Sequence, residues 1–390
     1  MNKVIYFDNN ATTRVSPEVK EAMDLFLTEL YGNPSSIHQF GGQVKKYLDE
    51  ARAKVASLLG CSPEEIIFTS CGTESDSTAI YSALGAYPEK KHIVTTSVEH
   101  PAIYNLGRYL EKQGYKVTYL KVDEDGQLDL DELEAAITPQ TAIVSIMWAN
   151  NETGVVLPVE KAAEITHSKG VLFHTDAVQA AGKIPINLKA TQIDLLSISG
   201  HKIHAPKGVG VLYVRQGTKF VPFLRGGHQE NGRRAGTENV HGIIGLGKAS
   251  ELALANLDKE QSYVGQLRDK LEKGLLARIP NLKINGARAQ RLPNTLSVSF
   301  EFVEGESILL LLSDYGICAS TGSACSSGSL EPSHVLQAMK IPFTFAHGTI
   351  RFSFSIYNTE EEVDYVLEVL PGVIKKLRDI SPFSPANSAR

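Results

Sequence analysis

The sequence predicts an α/β fold: a mostly parallel central sheet with helices on both faces, joined to a smaller α+β domain. Three observations carry that expectation. Between 66 and 214, short apolar runs alternate with helix-length amphipathic runs, a βα alternation that builds a parallel sheet covered on both sides. From about 238 the pattern turns helical, and two separated apolar strands with a helix between them follow, as in an α+β module. The 390 residues, 42% hydrophobic and 21% charged, suffice for a large core and two domains. The expected division is 15–260 for the larger domain, and 1–14 with 261–390 for the smaller.

Residues 1–14 read as a short strand followed by a polar segment. Ser16, Pro17 and Glu18 open a helix expected over 17–31, with proline in its first turn and an acid near its positive end. A turn-rich loop at 32–38 leads to a second helix that stops at Gly60. Strands are expected at 66–69, 92–96, 116–121, 142–147, 171–175, 193–198 and 209–214, and helices at 101–113, 129–137, 158–169 and 177–181. Residues 70–76, rich in Gly, Ser and Thr, join the first of these strands to a helical run, an arrangement that cradles anions. Helical patterning covers 238–278. Strands at 296–300 and 350–354 flank a helix at 307–315, and the polar 381–390 tail reads as frayed.

A net charge of −5 gives no reason to expect nucleic acid or an anionic membrane as partner. No apolar run is long enough to span a bilayer. The first residues lack a secretory apolar region and cleavage site, so a cytoplasmic location is expected. The four cysteines, Cys61, Cys71, Cys318 and Cys325, form no CxxC pair and no zinc-ligand spacing with histidine.

The stretch 173–210 concentrates the chemistry. Asp176 ends one apolar run, and Lys202 follows another. An acid and a lysine at neighbouring strand ends suit a pyridoxal phosphate (PLP) enzyme, in which the lysine forms a Schiff base and the carboxylate pairs with the pyridinium nitrogen. Most lysines lie on the surface, and Lys207 competes with Lys202, but the strand end places Lys202 nearer the crevice. Asp176 also suits a helix N-cap for 177–182. His100 follows another strand, where an imidazole could stack on a ring and move protons near neutral pH. Gly72 and Thr73 at a helix start, with Ser199 and His201 beside the lysine, supply phosphate donors. Cys325 lies among small polar residues, unlike a packed thiol, and reads as an exposed, used cysteine. Cys61, Cys71 and Cys318 read as structural. Arg351, inside an apolar strand, needs an anionic partner such as a substrate carboxylate, or else faces water from an edge strand.

Together the motifs TSCGTESD at 69–76, VEHPA at 98–102, WANNETG at 148–154, HTDAVQ at 174–179, SGHKIHAPKGVG at 199–210, GGHQENGRRAGTEN at 226–239, GSACSSGSLEPSHV at 322–335 and GTIRFS at 348–353 carry a family resemblance. The chain resembles the cysteine desulfurases of the NifS/IscS group, most closely the nitrogen-fixation NifS type, within the class V aminotransferase superfamily of fold-type I PLP-dependent transferases. The resemblance implies that Lys202 holds PLP, Asp176 pairs with its ring nitrogen and Gln179 with its phenolic oxygen, and His100 stacks and transfers protons. It implies a phosphate site of Thr73, Ser199 and His201 with the Gly72 amide, completed by Thr237 from a partner subunit and therefore a homodimer. Asn151, beside the cofactor, and Arg351 would hold the carboxylate of L-cysteine. Cys325 would be the nucleophile that takes sulfur as a persulfide, passes it to an iron–sulfur scaffold protein, including for nitrogenase maturation, and serves as a transient iron–sulfur ligand. Ser326-Ser327 stands where relatives often carry Thr-Ser, a small departure.

Two rival readings remain open at the level of sequence. A selenocysteine lyase or PLP aminotransferase of the same superfamily would share Lys202 and Asp176 but not depend on Cys325. A non-catalytic sulfur carrier or cluster scaffold would not need Lys202.

Overall fold

The computed structural model describes residues 4–321 and 332–382. Its strands are β1 (Ile5–Tyr6), β2 (Ile66–Thr69), β3 (His92–Thr96), β4 (Lys116–Leu120), β5 (Thr141–Ser145), β6 (Leu172–Asp176), β7 (Leu195–Ser199), β8 (Gly210–Val214), β9 (Leu282–Ile284), β10 (Thr295–Phe300), β11 (Ile317–Cys318) and β12 (Thr349–Ser353). Seven of them form one sheet in the order β2-β8-β7-β6-β5-β3-β4. The pairs β3–β4, β3–β5, β5–β6 and β6–β7 are parallel, whereas β8 is antiparallel to both β2 and β7. β2 therefore points the same way as β7, and six strands end on one edge of the sheet. The central strands β3, β5, β7 and β8 are buried along their whole length, as expected of a sheet covered on both faces.

Local chemistry explains the helix boundaries. Ser16 Oγ accepts the Val19 amide and Pro17 occupies the first turn of Pro17–Thr28. This helix ends three residues before the expected 31. The helix Lys45–Leu59 closes on Gly60, whose φ of +61° places it in the left-handed region. The helix Gly72–Ala86 starts directly after β2 and the Ser70–Cys71 turn.

The expected helix at 177–181 does not form: a run of turns takes its place. Asp176 Oδ1 accepts the Val178 amide, the Ala177 amide donates to Ser197 O, and Gly182 at φ +73° breaks the helical path between two isolated α-turns, Ala181 N to Ala177 O and Ile184 N to Ala180 O. Asp176 thus caps a turn, not a helix. The helical stretch read over 238–278 is broken: Val240–Ala255 stops at Asn256, and a π-turn at Glu260–Val264 precedes Gly265–Arg278.

Three apolar clusters fill the molecule. The first packs helices 45–59 and 240–255 on the sheet and also takes in Leu292, Val335, Leu336 and Met339. The second gathers Ile5, Phe7, β10, β12 and the helices Gly265–Arg278, Gly305–Asp314 and Glu360–Ile380. The third, around Ile67, Ile80, Ile143 and Leu212, covers the other side of the large sheet. A three-stranded antiparallel sheet, β12-β10-β9, belongs to the second cluster, and β1 pairs in parallel with β11 beside it. After Phe7 the chain bridges from Asp8 to Ser353 and continues toward the edge of the large sheet. Among the described residues, no helix is long and apolar enough to cross a membrane.

Candidate active site

The carboxyl ends of β2, β3, β5, β6 and β7 converge on one cleft of about 720 Å³, counting space open to solvent. β2 leads to Gly72 and Thr73, β3 to His100, β5 to Met147 and Asn151, β6 to Asp176, and β7 to Ser199, His201 and Lys202. The crevice outside the carboxyl ends of parallel strands is where α/β sheets bind ligands.

Lys202 sits in a 3-10 turn, Gly200–Lys202, immediately after β7. Its ammonium donates to Asn10 O at 2.5 Å and Ala11 O at 2.9 Å. Burial, reinforced by the positive charges of Arg351 and Lys183, brings its pKa down to about 8, although Asp176 and Asp8 oppose the shift. Lys207, the rival, is exposed.

Asp176 is buried at the end of β6. Burial pushes its carboxyl up, opposed by His100 when that ring is protonated, by the Val178 amide and by the Lys202 ammonium. His100 caps the helix Pro101–Lys112, its Nδ1 accepting the Ala102 amide at 3.2 Å. That bond leaves the ring proton on Nε2 in the neutral form, and burial lowers the pKa below the usual histidine value. His201 Nδ1 lies 3.1 Å from Thr12 Oγ1, and burial with the neighbouring Lys202 and Lys207 charges holds its pKa at about 4. Gln179 Nε2 donates to Asn10 O at 3.1 Å.

Arg351, in β12, is not a solvent-facing edge residue: it is 3% exposed. Its fork donates to Asp8 Oδ1 at 2.7 Å and Asn151 O at 2.8 Å. Asn151 itself is half-buried on the cleft wall. Thr237 lies outside this cleft. It is exposed and lines a smaller cavity with Ser70, Arg234 and Glu238. Cys325 lies outside the described residues, as does the rest of 322–331. Cys61 is buried, whereas Cys318 is half-buried in β11 and Cys71 is a half-buried wall residue of the cleft.

Two residues with a place in the site carried no chemistry in the sequence reading. Asn10 presents its main-chain oxygen to both Lys202 and Gln179, and its own side chain is held by Asn294 and Thr295. Asp76 is a fully buried wall residue 3.6 Å from His174 Nε2. This is not an ion pair, because burial holds His174 neutral with a pKa of about 3, its ring instead joining Ser145 Oγ and Ser197 Oγ at 2.8 and 2.9 Å. Burial, then the Asp176 charge, push the Asp76 carboxyl well above the usual carboxylate range. Its position four residues after Gly72, on the same helix face one turn on, was the available signal.

The wall fits a phosphorylated pyridine ring. Among the described residues, Ser199 Oγ and Gln179 Oε1 are buried without a hydrogen-bond partner. A Cβ at Gly72 would come within 2.9 Å of Val178 Cγ2 and 3.5 Å of Ser199 Cβ, so only glycine leaves the helix start open beside the Ser199 hydroxyl. A buried carboxylate, a lysine amine, a helix N-terminus and an orphaned hydroxyl are the donor and acceptor types that PLP requires.

Comparison with known proteins agrees with this geometry. The family model for aminotransferase class-V matches residues 5–366. A cysteine desulfurase of Trichormus azollae is 60% identical over 380 residues, covering 97% of this chain and 95% of the relative. Cysteine desulfurase NifS of Azotobacter vinelandii is 57% identical over 384 residues, 98% of this chain and 96% of the relative. Among solved structures, a NifS-like protein superposes with a TM-score of 0.90 at 43% identity, covering 96% of this chain and all of that one. An apo structure of a cysteine desulfurase from Thermococcus onnurineus NA1 gives a TM-score of 0.85 at 28% identity, covering 96% and 95%.

Proposed function

The chain belongs to the aminotransferase class-V family, among its PLP-dependent cysteine desulfurases, and from that premise we propose that Lys202 holds the cofactor and Cys325 takes sulfur from L-cysteine. The observation that carries the assignment of roles is the meeting of the Lys202 amine, the buried Asp176 carboxylate and the unpartnered Ser199 hydroxyl in one cleft. In this reading L-cysteine and the Cys325 thiol become L-alanine and a Cys325 persulfide. The carbon–sulfur bond breaks, a sulfur–sulfur bond forms, and the thiol's proton is returned to the carbon that lost sulfur.

When bound, PLP would withdraw electrons from the substrate's α-carbon and so loosen its bonds to hydrogen and, one carbon on, to sulfur. The chain's own residues do the rest. Asp176 would face the ring nitrogen and keep it protonated. Gln179, its Oε1 unpartnered, would meet the phenolic oxygen. His100, neutral and with its proton on Nε2, is suited to lie over the ring and to give and take protons. Lys202, with a pKa near 8, exchanges protons easily at neutral pH. Gly72, Thr73, Ser199 and His201 would hold the phosphate, with Thr237 reaching it from a second subunit in a homodimer. Arg351 is fixed by Asp8 and Asn151 O, and its buried Nε has no partner among the described residues. That unused donor, with Asn151, would receive the substrate carboxylate.

Residues 15–260 would form the cofactor-binding domain, and 1–14 with 261–390 the domain that carries the cysteine. An iron–sulfur scaffold protein would be the sulfur acceptor, and Cys325 would ligate iron only transiently through its persulfide. Mass spectrometry after incubation with L-cysteine tests the reading. It should find one added sulfur on the Cys325 peptide in the wild type and none in Lys202→Ala. Full desulfurase activity in Cys325→Ala would overturn the assignment of the nucleophile.

A further inference from the structure

Lys202 also forms part of the wall of a second cavity of about 720 Å³, which shares no other wall residue with the cleft. Its apolar walls are short, with Ala249, Ala253, Ile203 and Ile356 among them. Two ionisable wall residues are buried there, Lys183 at 5% exposed and Glu260 at 7%. They come from different elements. Lys183 lies in the turns after β6, and Glu260 opens the π-turn Glu260–Val264. A π-turn widens a helix and is frequent at functional sites.

Among the described residues neither group meets a side-chain partner. Lys183 Nζ makes one hydrogen bond, to Lys202 O at 3.2 Å. Glu260 Oε2 makes none. Among the described residues no ion pair joins the two, although both line this one cavity and each moderates the effect of burial on the other. An ammonium and a carboxylate held apart in an apolar enclosure are costly unless something spans them. A species that meets both needs an anionic and a cationic group on one small frame.

We propose that this cavity is a binding site for a small zwitterionic α-amino acid, its carboxylate on Lys183 and its ammonium on Glu260. The short walls leave room for a small side chain against Ala249 and Ala253. The occupant would reach the reactive lysine through a single bond, because its carboxylate competes with Lys202 O for the Lys183 ammonium. The site shares only Lys202 with the cleft and does not depend on the reaction assigned to it.

The test is calorimetric titration of the full chain with N,N-dimethylglycine, a zwitterion whose tertiary ammonium keeps one N–H but cannot condense with an aldehyde. The expected result is saturable binding at one molecule per chain, weakened about tenfold or more in Lys183→Met and in Glu260→Gln. Ala253→Phe, which fills the cavity and leaves both charges in place, should lose binding as well, with an unchanged melting temperature. It decides the matter if either charge variant misfolds. Three results overturn the proposal: no saturable binding at millimolar concentrations, equal affinity in well-folded wild type and Ala253→Phe, or equal affinity for isobutyrate, which lacks the ammonium. The last two would mean a probe bound elsewhere and a plain anion site, respectively.

Discussion

Capture of the cofactor should follow the ionisation of Lys202. Only a neutral amine attacks an aldehyde, and the Lys202 pKa is lowered to about 8 by burial and by the charges of Arg351 and Lys183. At pH 7.5 about a quarter of such amines are neutral, against roughly one in a thousand for a lysine at its ordinary ~10.4. The environment therefore accelerates capture on the order of a hundredfold at that pH. The assay mixes cofactor-free protein with PLP and follows the bound-cofactor absorbance from pH 6 to pH 10. The initial rate should rise with pH and level off above an inflection near 8. Arg351→Gln removes the largest charge acting against the ammonium and should move that inflection upward. The sign for stability is fixed by the same shift. The folded-state pKa lies below the unfolded one, so between about 8 and ~10.4 the unfolded chain binds more protons, and the cofactor-free protein gains stability as pH rises through that window. A rate still climbing at pH 10 without an inflection, or an inflection moved downward in Arg351→Gln, would refute this account of the lysine.

Asp176→Asn keeps the shape of the side chain and its bond with the Val178 amide but removes the charge. Activity should fall about 10²–10³-fold with the cofactor still bound, as measured by steady-state rates beside absorbance. Ser199→Ala removes a buried hydroxyl that has no partner among the described residues, so the cofactor-free protein should melt at the same or a higher temperature while its affinity for PLP falls about tenfold. Arg351→Met leaves Asp8 without its partner. Because the Asp8 side chain keeps 21% exposure, the loss should be about 2–3 kcal/mol by chemical denaturation, below the value for a fully enclosed pair.

The sheet was legible because each of its strands is a local signal, a short apolar run bounded by polar turns. The direction of β8 was not, since periodicity carries no sense of direction. Yet the link from Ser199 to Gly210 is too short to hold a crossover helix, and that length alone forces the antiparallel return seen in the pairing. β9 and β11 escaped because two or three residues cannot display alternation. The helix expected at 177–181 failed for the opposite reason. In sequence a local acid matches a helix cap, whereas the same carboxylate closes a turn and the glycine that follows, at φ +73°, breaks the helical path.

In the site, the same division runs between side chains and main chain. Lys202, Asp176 and His100 could be found because a strand end marks each of them. Arg351 was undecided between ligand and edge residue because its partner Asp8 lies 343 positions away, beyond any local pattern. Asn10 and Ala11 are harder still: what they offer Lys202 is a carbonyl oxygen, which every residue possesses. Those two oxygens are placed by the packing of Phe7 against Phe352 and Phe354, by the Asp8–Ser353 bridge and by the Asn10 side chain on Asn294 and Thr295. The N-terminal segment thus couples the second apolar core to the reactive lysine. It follows that substitutions such as Phe7→Ala, remote from the chemistry, should disturb the lysine's surroundings as well as the core's stability.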